Sequence, residues 1–425
     1  MSMISQFTDS NALSYQGTPT KRADLRGIAN QFRYIISSYG LALQEQDIAF
    51  FRKLSKGSIL ILDEAHKIKS RNSRRSKALK GLSPFCTYKF ALTATPVYNR
   101  LDDLFSIMQF VDESCLGSWR EFSDKYLIMS YNRVVGQKNS LQLHKELEPK
   151  IIRRSRESVK DQLPDVTRRV VLINPTGSHA VLLKRLRTRI VEELQKLVDA
   201  KEWSWNGSIK HPGVLKYMTM LDQAGIVPTL ADKFVEPFFI DTGLKCEDTK
   251  LVEAVSLAKD IVNNGDSVIT FCRYLNGIYR LQEMFDKSFI LTGKMSKQKQ
   301  EESISHFKRA AKNGAILLSS EVGGESLNLP EARYVINIDI PWGAADLEQR
   351  NSRNRRINSE FDNLFTYQFL IPGLDEYKWF ICNWKASGAE SVIDGIERVV
   401  PKPKLKNYLT SDTFNRETIC ASQHQ

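Results

Sequence analysis

The sequence predicts an α/β protein built from two parallel-sheet lobes with a helical insertion between them. Three observations carry that expectation. Short apolar, β-branched runs alternate with helix-length amphipathic stretches, the pattern of strand–helix–strand units. The alternation falls in two clusters, one closing near residue 167 and one opening near residue 248. The chain is 425 residues long, room for two or three domains at roughly 150 residues each.

In the first lobe (1–167) the strand candidates are RYIISS (33–38), SILILDE (58–64) and YKFALTAT (88–95). The insertion (168–247) opens with residues 175–200, one long amphipathic helix started by Pro175 and Ser178, both residue types that favour a helix N-terminus. Residues 201–245 carry Trp203, Trp205, Pro212, Gly213, Pro228 and Pro237 and show no assignable period. The second lobe (248–395) supplies helix patterns at 249–264 and 296–313. Its strand candidates are SVITFC (267–272), SFILTG (288–293), AILLSS (315–320), RYVINIDI (333–340) and LFTYQFLI (364–371). Residues 396–425 lose periodicity and read as a basic tail. No internal repeat at solenoid spacing occurs.

Composition excludes several classes. Hydrophobic residues at 42% and charged residues at 26% are ordinary for a globular chain that buries its own core. The six cysteines (86, 115, 246, 272, 382, 420) contain no C-x-x-C pair. This argues against a disulfide scaffold and a cysteine zinc site, and favours a reducing compartment. No apolar run approaches the ~20 residues of a membrane-crossing helix, and the first residues lack the basic start and apolar stretch of a secretory signal. The net charge is +12 with pI near 9.3, which makes a polyanion, nucleic acid first, the expected partner. The charge is clumped: residues 67–80 hold seven Lys/Arg and no acid, 150–156 four, 349–356 four and 401–406 three. A single run of this kind is most often a solvated face; four together point to an anionic ligand.

LILDEAHKIKS (60–70) is the most informative stretch. An apolar strand delivers Asp63 and Glu64 to its carboxyl end, where α/β sheets bind ligands. Two adjacent carboxylates there suit nucleotide hydrolysis. Asp63 would hold Mg²⁺ directly or through water, with Glu64 beside it to orient or deprotonate the attacking water. His66 would link the pair to the next motif. The D-E pair alone is equally an acidic helix cap; D-E-A-H behind four apolar residues is far more specific. ALTATPVYN (91–99) begins 25 residues after His66. There a strand runs into a Thr93-Ala94-Thr95 turn stopped by Pro96, whose hydroxyls would report nucleotide state to the carboxylates.

These two segments resemble motifs II and III of superfamily-two helicases, in the Swi/Snf-type branch of DNA translocases. Further stretches carry the resemblance: 37–70 leading into the DEAH box, 143–166 with its R-R and L-P, 248–274 entering the second lobe, LLSSEVGGESLNLPEARYVINIDIPW (317–342) as motif V, and LEQRNSRNRRINS (347–359) as motif VI. The E-x-G-G-E-x-L-N-L and D-x-P-W wording is closest to the bacterial branch that includes the RNA-polymerase-recycling ATPase. The resemblance covers nearly the whole chain. It implies two RecA-like lobes, ATP and Mg²⁺ in the cleft between them, and duplex DNA held across both without sequence preference. Lys67, Lys69, Arg74, Arg75, Arg153 and Arg154 are the candidate phosphate contacts. A compact chain of this kind fits the cytoplasm of a bacterium or of a phage- or virus-infected cell, or the nucleus of a eukaryote.

The physics of motifs V and VI agrees. Gly323 and Gly324, with Glu325, form a loop of little bulk that can approach phosphate and donate N–H groups. Arg353 and Arg356, three apart on an expected helix, would share a face and serve as the arginine finger, with Gln349 as an orienting group. Ser352 stands where the closest branch has Gly, and Asn358-Ser359 where Gly-Gln is usual.

One element is absent from these 425 residues. No G-x-x-x-x-G-K-[ST] loop occurs, and only 62 residues precede Asp63. The expectation is therefore a first lobe that is N-terminally incomplete, its P-loop supplied by a separate chain or by sequence upstream. The alternative is a catalytically inactive DNA-binding or assembly subunit with a helicase-derived fold.

Overall fold

The computed structural model describes residues 8–93, 96–97, 101–130, 133–153, 161–205, 209, 211–230, 247–320, 328–357, 359–395, 402–411 and 413–414. The chain divides into two compact units. The first is made of residues 1–149 with 388–397, the second of 150–387 with 398–425.

The first unit runs β1 (Ala12–Tyr15), α1 (Pro19–Ile28), β2 (Tyr34–Ser37), α2 (Glu45–Ser55), β3 (Ile59–Leu62), α3 (Arg74–Lys80), β4 (Tyr88–Ala91), α4 (Leu101–Val111), α5 (Trp119–Tyr126), β5 (Leu127–Ser130), β6 (Arg133–Gln137) and α6 (Ser140–Leu147). Local chemistry starts the helices. The Thr18 side chain accepts from Lys21 N with Pro19 in the first turn of α1, Ser73 caps α3, and Ser118 with Glu121 forms a capping box on α5. β1 pairs with β2 and β3 with β4, both in parallel. β5–β6 is an antiparallel hairpin that sequence reasoning did not place. Wholly buried Asp47 clamps β1 and α1 to α2, accepting from Arg22 Nε at 3.0 Å, Arg26 Nη2 at 2.8 Å and the Tyr15 hydroxyl. Burial alone would raise its pKa; the hydrogen bonds from Tyr15, Arg26 and Arg22 hold it below the usual carboxylate range.

β3 is apolar at every position, the signature of a parallel strand covered on both faces. One face is covered: Leu62 packs with Ala65, Ile68, Leu79, Leu82, Ile107 and Phe110. The other is bare, with Ile59 58%, Ile61 55%, Phe90 51% and Leu92 52% exposed.

The second unit is centred on a six-stranded sheet, all parallel, in the order β7–β12–β11–β8–β10–β9. Its strands are β7 (Asp165–Leu172), β8 (Val268–Phe271), β9 (Phe289–Leu291), β10 (Ile316–Ser319), β11 (Tyr334–Asn337) and β12 (Asn363–Leu370). Around them lie α7 (Gly177–Asp199), α8 (Pro212–Ile226), α9 (Thr249–Asn263), α10 (Leu275–Glu283), α11 (Lys297–Ala310), α12 (Ala344–Asn351), α13 (Leu374–Ile393) and α14 (Leu405–Leu409). Alternating strand residues feed two cores. Val268, Leu318 and Ile336 pack with Leu186, Leu221 and Leu251 from α7, α8 and α9, while Ile269, Leu317 and Val335 pack with Phe307 of α11.

Two boundaries differ from the sequence expectation. The 168–247 segment does not stand apart as an insertion: β7 is an edge strand of the sheet, and α7 and α8 pack on its main core. Nor are residues 402–411 only a tail, because Leu405 and Leu409 are buried in that same core.

His179 of α7 ties α8 and α9 together. Its Nε2 lies 3.1 Å from the Ala224 carbonyl oxygen and its Nδ1 3.2 Å from Thr249 Oγ1. Burial pushes its pKa down to about 4, so the folded state keeps it neutral where the unfolded chain binds a proton. Stability contributed this way is present above the unfolded value near 6.5 and is lost as pH falls towards 4. Urea melts of the wild type are expected to lose roughly 2–3 kcal/mol between pH 7 and pH 4.5 from this group, and His179→Gln should flatten that part of the profile.

Candidate functional site

β3 ends at Leu62, and the next two residues are the acidic pair. Parallel pairing with β4 sets Leu62 beside Ala91. The ladder continues past both strands: Leu92 N donates to Leu62 O and Ala65 N donates to Leu92 O, each at 2.8 Å. The turn carrying Asp63 and Glu64 is thereby stitched to the segment entering Thr93. Ala94 and Thr95 lie outside the described residues.

Asp63 is exposed and Glu64 half-buried. The Asp63 Oδ1 accepts from Glu64 N at 2.9 Å, and Glu64 adopts φ 51° and ψ 50°, the left-handed region. That conformation costs a non-glycine residue on the order of 1 kcal/mol. It turns the chain sharply at the strand end, so both carboxylates are presented there instead of one being carried into the following 3₁₀ turn (Ala65–Ile68). His66 is buried. Its Nδ1 sits 3.1 Å from Glu64 Oε2 without the alignment of a hydrogen bond. Tyr39, which sequence reasoning did not single out, donates its hydroxyl to the Asp63 carbonyl oxygen at 2.6 Å. Among the described residues no group of three or more His, Cys, Asp or Glu is arranged for a metal. An exposed carboxylate with one neighbour fits Mg²⁺, an ion that keeps several waters and takes its remaining ligands from substrate phosphates.

The basic stretch that follows is sorted by the fold. Arg74 is exposed, while Lys67, Lys69 and Arg75 are half-buried on the 3₁₀ turn, its C-cap and α3. Arg75 Nε is buried without a hydrogen-bond partner, and the guanidinium lies 5.8 Å from the Tyr39 ring centroid. Lys80 is spent internally on Ser106 Oγ and Gln109 Oε1; burial, with Arg71 nearby, pushes its pKa down to about 8. Arg71 instead stacks 4.1 Å over the Trp119 ring.

In the second unit Arg153 is exposed, and Arg154 lies outside the described residues, as do Gly323, Gly324 and Glu325. Gln349 is half-buried on α12. The arginine pair departs from expectation. α12 ends at Asn351, so Arg353 and Arg356 follow in irregular chain and share no helix face. Arg353 is buried, and its carbonyl accepts from Leu329 N at 3.0 Å. Arg356 Nε donates to Asn328 Oδ1 at 2.7 Å, and its Nη1 to the Ser352 and Arg355 carbonyls. Asn328 is the N of the L-N-L wording in motif V, so motif VI is pinned to the chain just beyond the glycine loop. Asp339, fully buried after β11, accepts from Arg350 Nη2 at 3.1 Å and Arg273 N at 2.8 Å. Burial alone would raise its pKa; the charges of Arg350 and Lys378 hold it below the carboxylate range. Arg350, counted in sequence as part of a basic run, is therefore an internal brace of α12.

A parallel α/β scaffold with an acidic pair at the carboxyl end of a strand defines the class of α/β proteins that bind ligands at strand ends. A family profile described as a helicase conserved C-terminal domain matches residues 250–358. A second, described as an SNF2-related domain, matches residues 2–226, just over half of the chain. The chain belongs to that SNF2-related family.

Among curated relatives, the putative ATP-dependent helicase/translocase YwqA of Bacillus subtilis is 26% identical over 358 residues, covering 82% of this chain and 37% of that protein. An uncharacterized ATP-dependent helicase of Mycoplasma pneumoniae is 26% identical over 339 residues, covering 78% and 30%. The chain thus spans about a third of the length of these relatives. The SWI2/SNF2 ATPase core of Sulfolobus solfataricus in complex with dsDNA matches at a TM-score of 0.42 and 21% identity, covering 93% of this chain and 79% of that one.

Proposed function

We propose that the chain is the motor of an ATP-dependent DNA translocase of Swi/Snf type, working with a P-loop held on polypeptide outside these 425 residues. The observation that carries this reading is the motif II turn. Asp63 and Glu64 stand at the carboxyl end of β3 in a strained conformation, braced by Tyr39 and by the motif III segment. A turn that merely ended a strand has no need of that strain. Asp63 would take Mg²⁺ bound to the nucleotide, Glu64 would position the attacking water, and Arg353 and Arg356 would meet the charge developing on the transferred phosphoryl. Lys67, Lys69, Arg74 and Arg75, with Arg153 and Arg154, would hold duplex phosphates without reading sequence. The bare face of β3 and β4 supports the P-loop clause, since parallel strands are covered on both sides. An α/β layer carrying the loop would cover Ile59, Ile61, Phe90 and Leu92.

The clustered basic runs also fit one second reading, a non-catalytic DNA-binding subunit. Duplex binding by fluorescence anisotropy and ATP hydrolysis, measured with and without an added P-loop-bearing fragment, separate the two. The translocase reading expects salt-sensitive duplex binding by the chain alone and hydrolysis only with the fragment. Duplex binding with no hydrolysis in either case would establish the binding subunit.

A further inference from the structure

We propose that Tyr39 couples duplex engagement by the basic segment to the geometry of the acidic pair. The inference rests on the translocase reading and adds to it a means by which DNA would regulate hydrolysis.

Three contacts meet on this one side chain. Its hydroxyl donates to the Asp63 carbonyl oxygen at 2.6 Å. Lys67 Nζ and Arg75 Cζ each lie 5.8 Å from its ring centroid, within the range of attraction between a cation and an aromatic face. Lys67 belongs to the 3₁₀ turn directly after Glu64, and Arg75 to the first turn of α3. The phenol is half-buried against the core that holds Leu62 and Ala65. Burial, then the charges of Asp63 and Glu64, push its pKa up to about 12, so it stays a donor across any working pH.

The chemistry runs in one direction from these positions. Arg75 is half-buried and meets Tyr39 only as a cation over the ring, so a phosphate offers its guanidinium a charge-assisted hydrogen bond that the ring does not. Phosphate contacts compete with the ring for both cations, because a charge-assisted hydrogen bond outweighs a cation–π contact at this distance. A ring released from one or both cations shifts, and its hydroxyl carries the shift to the Asp63 carbonyl. Glu64 is the next residue, left-handed, with its N–H on Asp63 Oδ1 and its carbonyl accepting from Lys67 N. A small displacement there re-aims both carboxylates.

Hydrogen–deuterium exchange of the full chain, with and without a short blunt duplex, tests the coupling without requiring hydrolysis. In the wild type the duplex is expected to change exchange at the Glu64 and Ala65 N–H groups by about threefold or more. Tyr39→Phe keeps the ring and removes the hydroxyl. It should bind duplex as tightly as wild type by anisotropy, melt at the same temperature and lose the duplex-dependent change. Arg75→Gln, which leaves Tyr39 in place, should shrink the change. Retention of the full change in Tyr39→Phe would overturn the proposal, as would a wild type that binds duplex with no change at these groups. A wild type that fails to bind duplex at all, seen directly by anisotropy, would overturn the translocase reading beneath it.

Discussion

Glu64→Gln is expected to cut ATP hydrolysis by the P-loop-complemented chain by ~10²–10⁴-fold while leaving duplex affinity within about twofold, the range of a lost general base. The substitution is nearly isosteric and tolerates the same left-handed backbone, so the turn between Asp63 and Ala65 keeps its bonds to Asp63 Oδ1 and Leu92 O. What disappears is the carboxylate. The amide can still touch a water but cannot accept its proton, and the negative charge beside His66 is removed with it. Steady-state hydrolysis and anisotropy on the same preparation check the result. Equal loss of hydrolysis and binding would make Glu64 a structural residue; unchanged hydrolysis would assign the base elsewhere.

The largest loss of stability is expected from Asp222→Ala. Lys378 is wholly buried on α13, and its Nζ donates to both Asp222 oxygens at 2.8 Å. The Tyr274 hydroxyl donates to Asp222 Oδ2, also at 2.8 Å. Burial alone would lower the Lys378 pKa, but the charges of Asp222, Asp375 and Asp339 outweigh it and hold the ammonium charged. Removing Asp222 leaves a buried cation and a phenol without their acceptor, which costs about 3–5 kcal/mol. Replacing both ends with apolar residues, as in Asp222→Leu with Lys378→Met, should recover most of that. Chemical denaturation of the three proteins gives the comparison. A single variant no less stable than the double one would show that the pair is not what joins α8 to α13.

Eight strands stood out in the sequence because parallel strands are short, apolar on both faces and bounded by polar turns; SVITFC and AILLSS needed no further context. The misses have physical causes. Residues 212–226 escaped notice because α8 changes along its length: Leu215 and Lys216 are exposed in its first half, whereas Met220, Leu221, Asp222, Ala224 and Ile226 are buried in its second, so no single polar stripe runs the whole helix. The helix expected under Arg353 and Arg356 stops early for tertiary reasons. Asn351 accepts from Asn337 Nδ2 on β11, and Ser352 turns its hydroxyl back to the Glu348 carbonyl. The acidic pair was readable because four residues in a row specify it. Tyr39 was not, since its role depends on a backbone oxygen 24 positions away. Lys80 and Arg350 carry the reverse lesson, as basic runs in sequence do not reveal which members face inward.

The first unit is discontinuous in sequence, and this has a consequence for the order in which the protein is made. Gln137 Nε2 donates to the Gly388 carbonyl and to Ser391 Oγ, and His144 Nδ1 meets the Val392 carbonyl oxygen. These contacts cannot form until the ribosome has released residues 388–397, long after β3 and β4 have emerged. The unit begun first is completed last, after almost all of the other has been synthesised. Fragments that stop before Gly388 carry every residue of motif II and still lack the peptide that finishes its unit.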